Sequence, residues 1–156
     1  GQFLKRDLRT DIYYSSDLER AWRTIHYLAK KQNKRIEILK RFREVSLVPL
    51  GTELVLFTAN PLAYKNPVAS GRKYKRYLRS FKDNVTHGQE RLVAVATHGI
   101  TKILLVMEFL GIPYGHYRDV YKVLRNSPNA GVTVLALQLV QGEVQVLRGV
   151  VGPVQL

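Results

Sequence analysis

The stretch Ser15-Ser16-Asp17-Leu18-Glu19-Arg20-Ala21 decides the fold, and Val95-Ala96-Thr97-His98-Gly99 is its counterpart further along the chain. The first stretch has the pattern of a strand end, a turn and a helix start, and the second that of a buried strand followed by a helix. In doubly wound α/β folds, ligands gather at the carboxyl ends of the strands, beside the N-termini of helices. We therefore expect His98 and Arg20 to meet at that edge of the sheet and to form an anion site.

Gly99 and Ser16 extend this candidate phosphate site. Gly99 lets the backbone turn sharply and lets a ligand approach the free N–H groups of the helix start. Ser16 is expected to act first as a helix cap, in a capping box with Glu19, and second as a ligand contact. A cation near a helix start is mildly disfavoured by the macrodipole, so Arg20 is a candidate anion ligand, although a solvated surface arginine also fits.

Hydrophobic periodicity and turn residues outline the remaining elements. The predicted strands and helices are a short β-prone run over 10–14, a helix over 17–32, a helix over 72–85, a strand over 92–97, a helix over 99–110, a helix over 116–124, and a terminal hairpin of 132–140 and 144–151 around Gly142. Segment 36–45 is ambiguous, 48–51 is predicted as a turn, 54–57 fits a strand or a buried helical turn, and 58–71 is predicted as an irregular loop. This order predicts an α/β sandwich with a mainly parallel sheet, in one domain spanning 1–156.

Composition excludes several classes of protein. The chain has 156 residues and no cysteine, so disulfides and thiol nucleophiles are excluded and a structural zinc site is disfavoured. Neither a metal nor another cofactor is expected, because the histidines at 26, 87 and 116 have no partner at metal-ligand spacing. Lys102 and Glu108 interrupt the longest apolar run, so no membrane association is expected. Residues 1–9 lack a secretion signal, and we expect a cytoplasmic or organellar interior location.

The charge of the chain is strongly positive. Twenty-five Lys and Arg against twelve Asp and Glu give a net charge of +13. Such a surface attracts polyanions, which include nucleic acid, acidic partners and phosphorylated small molecules. The basic stretches are Lys30, Lys31, Lys34, Arg35, Lys40, Arg41 and Arg43, and then Arg72, Lys75, Arg76, Arg79 and Lys82. They fit a nucleic-acid surface or, equally, solvated helix faces.

Four segments resemble, in order, elements of the histidine phosphatase superfamily, the phosphoglycerate mutase-like proteins. The segment from Asp11 to Ala21, with Thr24, resembles the family's first signature. The other matching segments are Phe42-Arg43-Glu44-Val45, Val93 to Lys102, and Pro128 to Leu135. The resemblance spans about residues 10–139. It implies a three-layer sandwich of the phosphoglycerate mutase type, in which segment 58–90 is an insertion or a lid.

The resemblance also implies roles for three residues. By motif position, Arg20 binds the oxygens of the transferring phosphoryl group, and His98 stabilises the same group. Glu44 serves as the general acid to the leaving oxygen. Phosphoryl transfer depends mainly on positioning and charge neutralisation, which such a set supplies. The implied substrate is a phosphomonoester, either a phosphorylated small molecule or a phosphopeptide.

The chain departs from the family's pattern at one point. In the family, the histidine of an Arg-His-Gly motif on the first strand attacks phosphorus, and the printed sequence contains no such motif. Three explanations stay open: the motif precedes Gly1 in a longer protein, another chain donates the strand, or the domain has repacked as a noncatalytic member. Two functions follow as alternatives. One is phosphomonoester hydrolysis or phosphoryl transfer of the histidine phosphatase type, and the other is an inactive binding module attached to nucleic acid or a ribonucleoprotein.

Overall fold

The computed structural model describes residues 9–50, 53–57, 66–90, 92–124, 133–140 and 143–150. Seven strands and four helices occur in these ranges. The elements in chain order are β1 (Ile12–Ser15), α1 (Glu19–Lys31), β2 (Ile36–Ile38), a 3-10 turn (Lys40–Phe42), β3 (Ser46–Leu50), β4 (Glu53–Phe57), α2 (Pro67–Thr86), β5 (Val93–Ala96), α3 (Gly99–Leu110), a second 3-10 turn (Tyr114–His116), α4 (Tyr117–Leu124), β6 (Val134–Val140) and β7 (Glu143–Val150).

A parallel sheet of strands in the order β2-β1-β5 places β1, which leads into the stretch 15–21, beside β5, which leads into the stretch 95–99. In its register, Tyr14 lies opposite Glu37 on one side and opposite Val95 on the other. The predicted parallel sheet is therefore confirmed. Within the described ranges, β5 pairs on one side only. The carboxyl ends of β1 and β5 lie next to each other, which brings Ser16 and His98 to the same edge.

The two faces of this sheet carry two separate apolar clusters. Tyr13 is 2% exposed and packs on one face with Ile25 and Leu28 of α1. Tyr14 points to the other face, where its ring meets Phe81 of α2 edge-on, with centroids 5.2 Å apart. The larger cluster on that side also contains residues of α3 and α4. Helices thus cover both faces, and the predicted three-layer sandwich is confirmed.

The start of α1 differs from the prediction. The helix begins at Glu19, and Leu18 is its N-cap, without a side-chain capping bond. The predicted capping box of Ser16 and Glu19 is therefore wrong. The reason lies in the backbone of Ser16, whose N–H donates to the carbonyl of Ala96 (3.0 Å) and so remains part of the sheet edge. The Ser16 hydroxyl accepts the N–H of Leu18 at 3.3 Å instead.

Helix α2 begins earlier than its periodicity indicated. The predicted irregular loop over 58–71 is wrong for residues 67–71, which are helical, whereas 58–65 lie outside the described residues. Asn66 caps the helix by accepting the N–H of Ala69 at 3.0 Å, and Pro67 occupies the first turn. An Asn-Pro pair is a helix start signal, which the loop-like composition of this segment concealed.

The two antiparallel hairpins lie outside the parallel sheet. Strand β3 continues through Leu50, so the predicted turn is wrong for residues 48–50, and Gly51 lies outside the described residues. Pro49 is compatible with a strand that pairs on one edge. Segment 53–57 is the partner strand, which decides between the two alternatives left open for 54–57. The predicted terminal hairpin is confirmed as β6 and β7, with Gly142 outside the described residues.

Helix α3 spans Gly99–Leu110, as the sequence predicts. It ends at Gly111, whose φ of 67° is left-handed, a conformation that glycine adopts without strain. Fully buried Leu104 and Met107 anchor α3 in the larger cluster. None of the described helices combines the length and the apolar character that a membrane span requires.

Candidate functional site

The site begins with a buried contact between the ends of β1 and β5. The hydroxyl of Ser16 lies 2.8 Å from Nε2 of His98. Ser16 is fully buried, and His98 is 8% exposed. Ser16 follows β1 directly and His98 lies two residues beyond the end of β5, so the parallel pairing of these strands brings the two side chains together. It places the imidazole at the start of α3, where the sequence predicted it.

Arg20 completes this pair from the first turn of α1. Its Nε donates to Nδ1 of His98 at 3.3 Å. Since Nε of arginine is only a donor, Nδ1 accepts, and a neutral ring carries its proton on Nε2. Nε2 therefore donates to the Ser16 hydroxyl. The guanidinium and the imidazole were expected to meet across an anion, but here they contact each other directly.

The surroundings of His98 favour the neutral imidazole. Burial lowers the pKa of His98 below its ordinary value of 6.5, and the adjacent Arg20 cation lowers it further. Glu44 and Asp17 act in the opposite direction and raise the same pKa, but their effect is smaller. A neutral ring that donates from Nε2 is the form that the hydrogen bonds to Arg20 and Ser16 require. The lowered pKa and the hydrogen bonds thus both favour the neutral form of His98.

Glu44 lies at the N-terminus of α3. Its Oε1 accepts the backbone N–H groups of Ile100 (3.0 Å) and Thr101 (3.2 Å). These are two of the N–H groups that a helix start leaves without an intrahelical partner. A carboxylate also interacts favourably with the positive end of the helix. The side chain therefore caps α3, and the N–H groups of Ile100 and Thr101 are already in use.

Two further contacts hold the segment that carries Glu44 in place. Arg43 donates from Nε to Oδ1 of Asp17 at 2.7 Å, and a second guanidinium nitrogen meets Oδ2. The hydroxyl of Thr101 donates to the carbonyl of Arg43 at 2.8 Å. The contact between Arg43 and Asp17 lowers the pKa of Asp17, chiefly through the hydrogen bond from Arg43. The turn after β1, the turn before β3 and the start of α3 are thereby joined.

The structure thus brings together all five residues singled out in the sequence: Ser16, Arg20, Glu44, His98 and Gly99. Gly99 is the first residue of α3, and a methyl group there would lie 3.6 Å from Oε2 of Glu44, an ordinary contact distance. Sequence reasoning missed the supporting roles of Asp17, Arg43 and Thr101. Only the family-like segments around them gave a signal, because a contact such as Asp17–Arg43 joins residues far apart in the chain.

A small cavity of about 210 Å³ adjoins Glu44 and Gly99. Lys102 and Tyr121 also line it, and burial lowers the pKa of Lys102. The cavity lies beside the start of α3. Across the described ranges, no group of three or more His, Asp or Glu side chains is placed to hold a metal ion.

Comparisons with known proteins show what this chain is similar to. Residues 1–52 match the model of the histidine phosphatase superfamily (branch 1). No curated protein sequence matches the chain. Solved structures that share its fold include a protein described as mycobacterial hydrolase 1 (20% identity, 97% of this chain and 80% of that chain, TM-score 0.65). Two others are mycobacterial glucosyl-3-phosphoglycerate phosphatase in complex with VO3 (18%, 97% and 79%, 0.65) and the α-ribazole phosphatase of Shigella flexneri (13%, 94% and 76%, 0.59). The resemblance to the histidine phosphatase superfamily and the phosphoglycerate mutase-like fold are confirmed.

Proposed function

We propose, from the chain's likeness to the histidine phosphatase superfamily, that it takes part in the hydrolysis or transfer of a phosphomonoester group. One observation carries the proposal: the parallel pairing of β1 and β5 brings Arg20, His98 and Ser16 into direct contact beside Glu44 and the start of α3. Such a cluster offers a cation, a neutral N–H donor and a carboxyl group around one point. These are groups that phosphoryl transfer uses.

In this proposal Arg20 supplies most of the charge that holds the phosphoryl group. Its side chain is exposed and only its Nε contacts His98, so the terminal guanidinium nitrogens can reach an anion. His98 donates to a phosphoryl oxygen when the ligand takes the place of the Ser16 hydroxyl at its Nε2–H. Neutralising the oxygens of the transferring group is the largest contribution that a protein makes to this reaction.

Glu44 is proposed as the general acid toward the leaving oxygen. Its Oε1 accepts the N–H groups of Ile100, Thr101 and Val45. Oε2 is then the oxygen that would carry and deliver a proton. The backbone contacts hold this carboxyl group in one position, which general acid catalysis requires.

The family resemblance assigns the covalent step to the histidine of an Arg-His-Gly motif, which the printed sequence does not contain. The proposal therefore gives none of the described residues the role of nucleophile. For the substrate, we infer a phosphorylated small molecule, with a phosphopeptide as the alternative. The names of the neighbours support the first, because glucosyl-3-phosphoglycerate phosphatase and α-ribazole phosphatase are named for small phosphorylated compounds.

Hydrolysis of p-nitrophenyl phosphate tests this proposal, together with vanadate binding followed by calorimetry. Both are measured on the 156-residue chain and on the same chain joined to any residues that its gene encodes before Gly1. We expect vanadate to bind both proteins, and Arg20→Ala or His98→Ala to weaken that binding at least tenfold. Arg118→Ala, an exposed arginine on α4, is the matched control. The proposal fails if both proteins are folded and neither binds vanadate nor hydrolyses the ester.

We further propose that segment 58–90 covers the pocket and selects multiply charged substrates. Its helix α2 is anchored in the larger apolar cluster through fully buried Leu78, so the described part of the segment is a fixed wall. Both Arg76 and Arg79 are exposed, and Arg79 lies 3.6 Å from the carboxylate of Glu108, which offsets part of its charge. Arg76→Glu should therefore raise KM for polyphosphorylated substrates and leave KM for p-nitrophenyl phosphate unchanged. An equal effect on both substrates would contradict the role.

The second candidate function is a binding module for nucleic acid or a ribonucleoprotein. The net charge of +13 supports it, and the basic side chains at the end of α1 support it more than those of α2. On α2, Arg79 pairs with Glu108, Lys82 donates to the Glu108 carbonyl, and Lys75 lies over the Tyr114 ring. Binding of labelled RNA and DNA at increasing salt tests this function. Weak binding at low salt, or affinity that does not depend on salt, would exclude it.

A further inference from the structure

A cleft between α1 and the edge strand β2 is lined by none of the five residues of the candidate site. It encloses about 430 Å³, a volume typical of ligand sites. Side chains of α1 form one wall, and Ile36 and Ile38 form the other. The lining residues are Trp22, His26, Ala29, Lys30, Asn33, Lys34, Ile36 and Ile38.

The walls of this cleft combine flat apolar surface with positive charge. The half-buried ring of Trp22 meets His26 edge-on, with centroids 5.0 Å apart, and exposed Ile38 faces them from β2. Lys30 and Lys34 add two ammonium groups, and the described lining residues include no Asp or Glu. A ligand that fits both features carries a planar ring and a negative charge.

The placement of Lys34 is a product of the local fold. Asn33 adopts a left-handed conformation (φ 52°), and the N–H of Lys34 donates to the carbonyl of Ala29 at 2.9 Å. The chain therefore reverses at the end of α1 and brings Lys34 back to the cleft beside Lys30. The macrodipole accounts for cations in the last turn of a helix, but Lys34 lies beyond that turn.

We propose that this cleft binds single-stranded nucleic acid, with a base packed against Trp22 and phosphates held by Lys30 and Lys34. Aromatic stacking combined with a basic path along the backbone is the general mode of single-strand binding. Exposed Lys31 and Arg35 continue the positive charge outside the cleft, and exposed Tyr27 offers a further stacking surface on α1. This continuation favours a strand over a mononucleotide. The inference rests on the second candidate function and assigns its site.

The test uses the chain's only tryptophan as a reporter, because Trp22 lines the cleft. A short labelled oligouridylate is titrated at several salt concentrations, and both its anisotropy and the Trp22 fluorescence are followed. We expect binding to quench Trp22. Lys30→Gln/Lys34→Gln should weaken binding about tenfold at low salt and reduce the slope of log K against log salt by about 1.4, since each phosphate contact on a single strand contributes about 0.7.

Two further variants of the chain test whether the effect on binding belongs to the cleft. Lys73→Gln/Lys122→Gln removes the same charge from exposed positions of α2 and α4 and should change the affinity little. Trp22→Leu, followed by anisotropy alone, should weaken binding at least about fivefold through lost stacking.

Several outcomes overturn the inference. It fails if the two lysine pairs have equal effects, if uridine monophosphate binds as tightly as the oligomer, or if polyglutamate quenches Trp22 as strongly as the oligomer does. If the oligomer binds and the cleft variants leave its affinity unchanged, the second candidate function stands and only the proposed site is wrong. If no nucleic acid binds at low salt, both fail.

Discussion

Ser16 and His98 lie just beyond the ends of two strands that are far apart in the sequence, yet the serine hydroxyl lies 2.8 Å from the imidazole Nε2 in a buried contact. The other ring nitrogen, Nδ1, accepts a hydrogen bond from Nε of Arg20. With both nitrogens engaged, the ring has one defined orientation and one defined tautomer. The protonation of His98 therefore reports on the integrity of the whole edge of the sheet.

The first prediction concerns acid stability. The folded chain lowers the pKa of His98 below 6.5, the ordinary value, so the unfolded chain binds this proton more readily. The stability that His98 contributes is present above pH 6.5 and is lost as the pH falls toward the folded-state pKa. Urea unfolding at pH 8 and pH 5 should show a smaller decrease in His98→Gln than in the wild type.

The control for this experiment is His116→Gln, which changes an exposed histidine in a turn. It shows how much the loss of a histidine outside the sheet edge changes the stability at each pH. A decrease in stability between pH 8 and pH 5 that is the same in His98→Gln as in the wild type would show that His98 does not resist protonation in the fold.

The second prediction separates the two roles of Glu44. Glu44→Gln keeps an oxygen that can accept the N–H groups of Ile100 and Thr101 but removes the charge, so unfolding should become easier by about 0.3–1 kcal/mol. Loss of a general acid should lower kcat by about 10²-fold or more wherever hydrolysis is measurable. Glu37→Gln, an exposed position on β2, is the stability control. A kcat unchanged by Glu44→Gln would assign Glu44 to capping alone.

The third prediction concerns the end of α3. Gly111→Ala should destabilise the fold by about 1–2 kcal/mol, because φ is 67° and an alanine resists left-handed backbone. Nothing lies within 4 Å of the added methyl group, so the effect comes from the backbone alone. Gly99→Ala offers a contrast, since its methyl would make an ordinary contact and its φ is not positive. Thermal unfolding of the two variants should differ accordingly.

The fourth prediction tests whether α2 is part of the core. Leu78 is fully buried in the cluster shared with α3, so Leu78→Ala should cost about 2–5 kcal/mol in urea unfolding. Arg76→Ala, on the exposed face of the same helix, should change stability by no more than about 0.5 kcal/mol. A lid that opens independently would instead let Leu78→Ala leave global unfolding nearly unchanged.

The elements that sequence predicts well here are those with their own end signals. The sequence predicts both ends of α3 correctly, because an apolar run lies between His98 and Gly111, a left-handed helix stop. The sequence does not predict the start of α2, because the prolines and the glycine of this segment favour a loop. Only the hydrogen bond from the Ala69 N–H to the Asn66 side chain shows that Asn66 and Pro67 begin a helix. Local composition cannot decide such a case, since the helix is stabilised by its buried face.

In the candidate site, too, one contact could be predicted from the sequence and another could not. The meeting of Arg20 and His98 follows from a topological rule, because side chains at the carboxyl ends of adjacent parallel strands converge. The capping of α3 by Glu44 does not follow from such a rule. It depends on where the turn before β3 lies in space, and the long-range bond from Arg43 to Asp17 contributes to that position.

Tyr13 and Tyr14 are neighbours in the chain but belong to different apolar clusters on opposite faces of the sheet. Alternation along a strand has a period of two, so removing or adding one residue within β1 would exchange the environments of both rings at once. A change in the length of β1 by an odd number of residues would therefore disrupt both clusters, whereas a change by an even number would keep each ring on its own face. Among natural variants of the chain, indels in β1 are expected to be rare and to come in even numbers of residues.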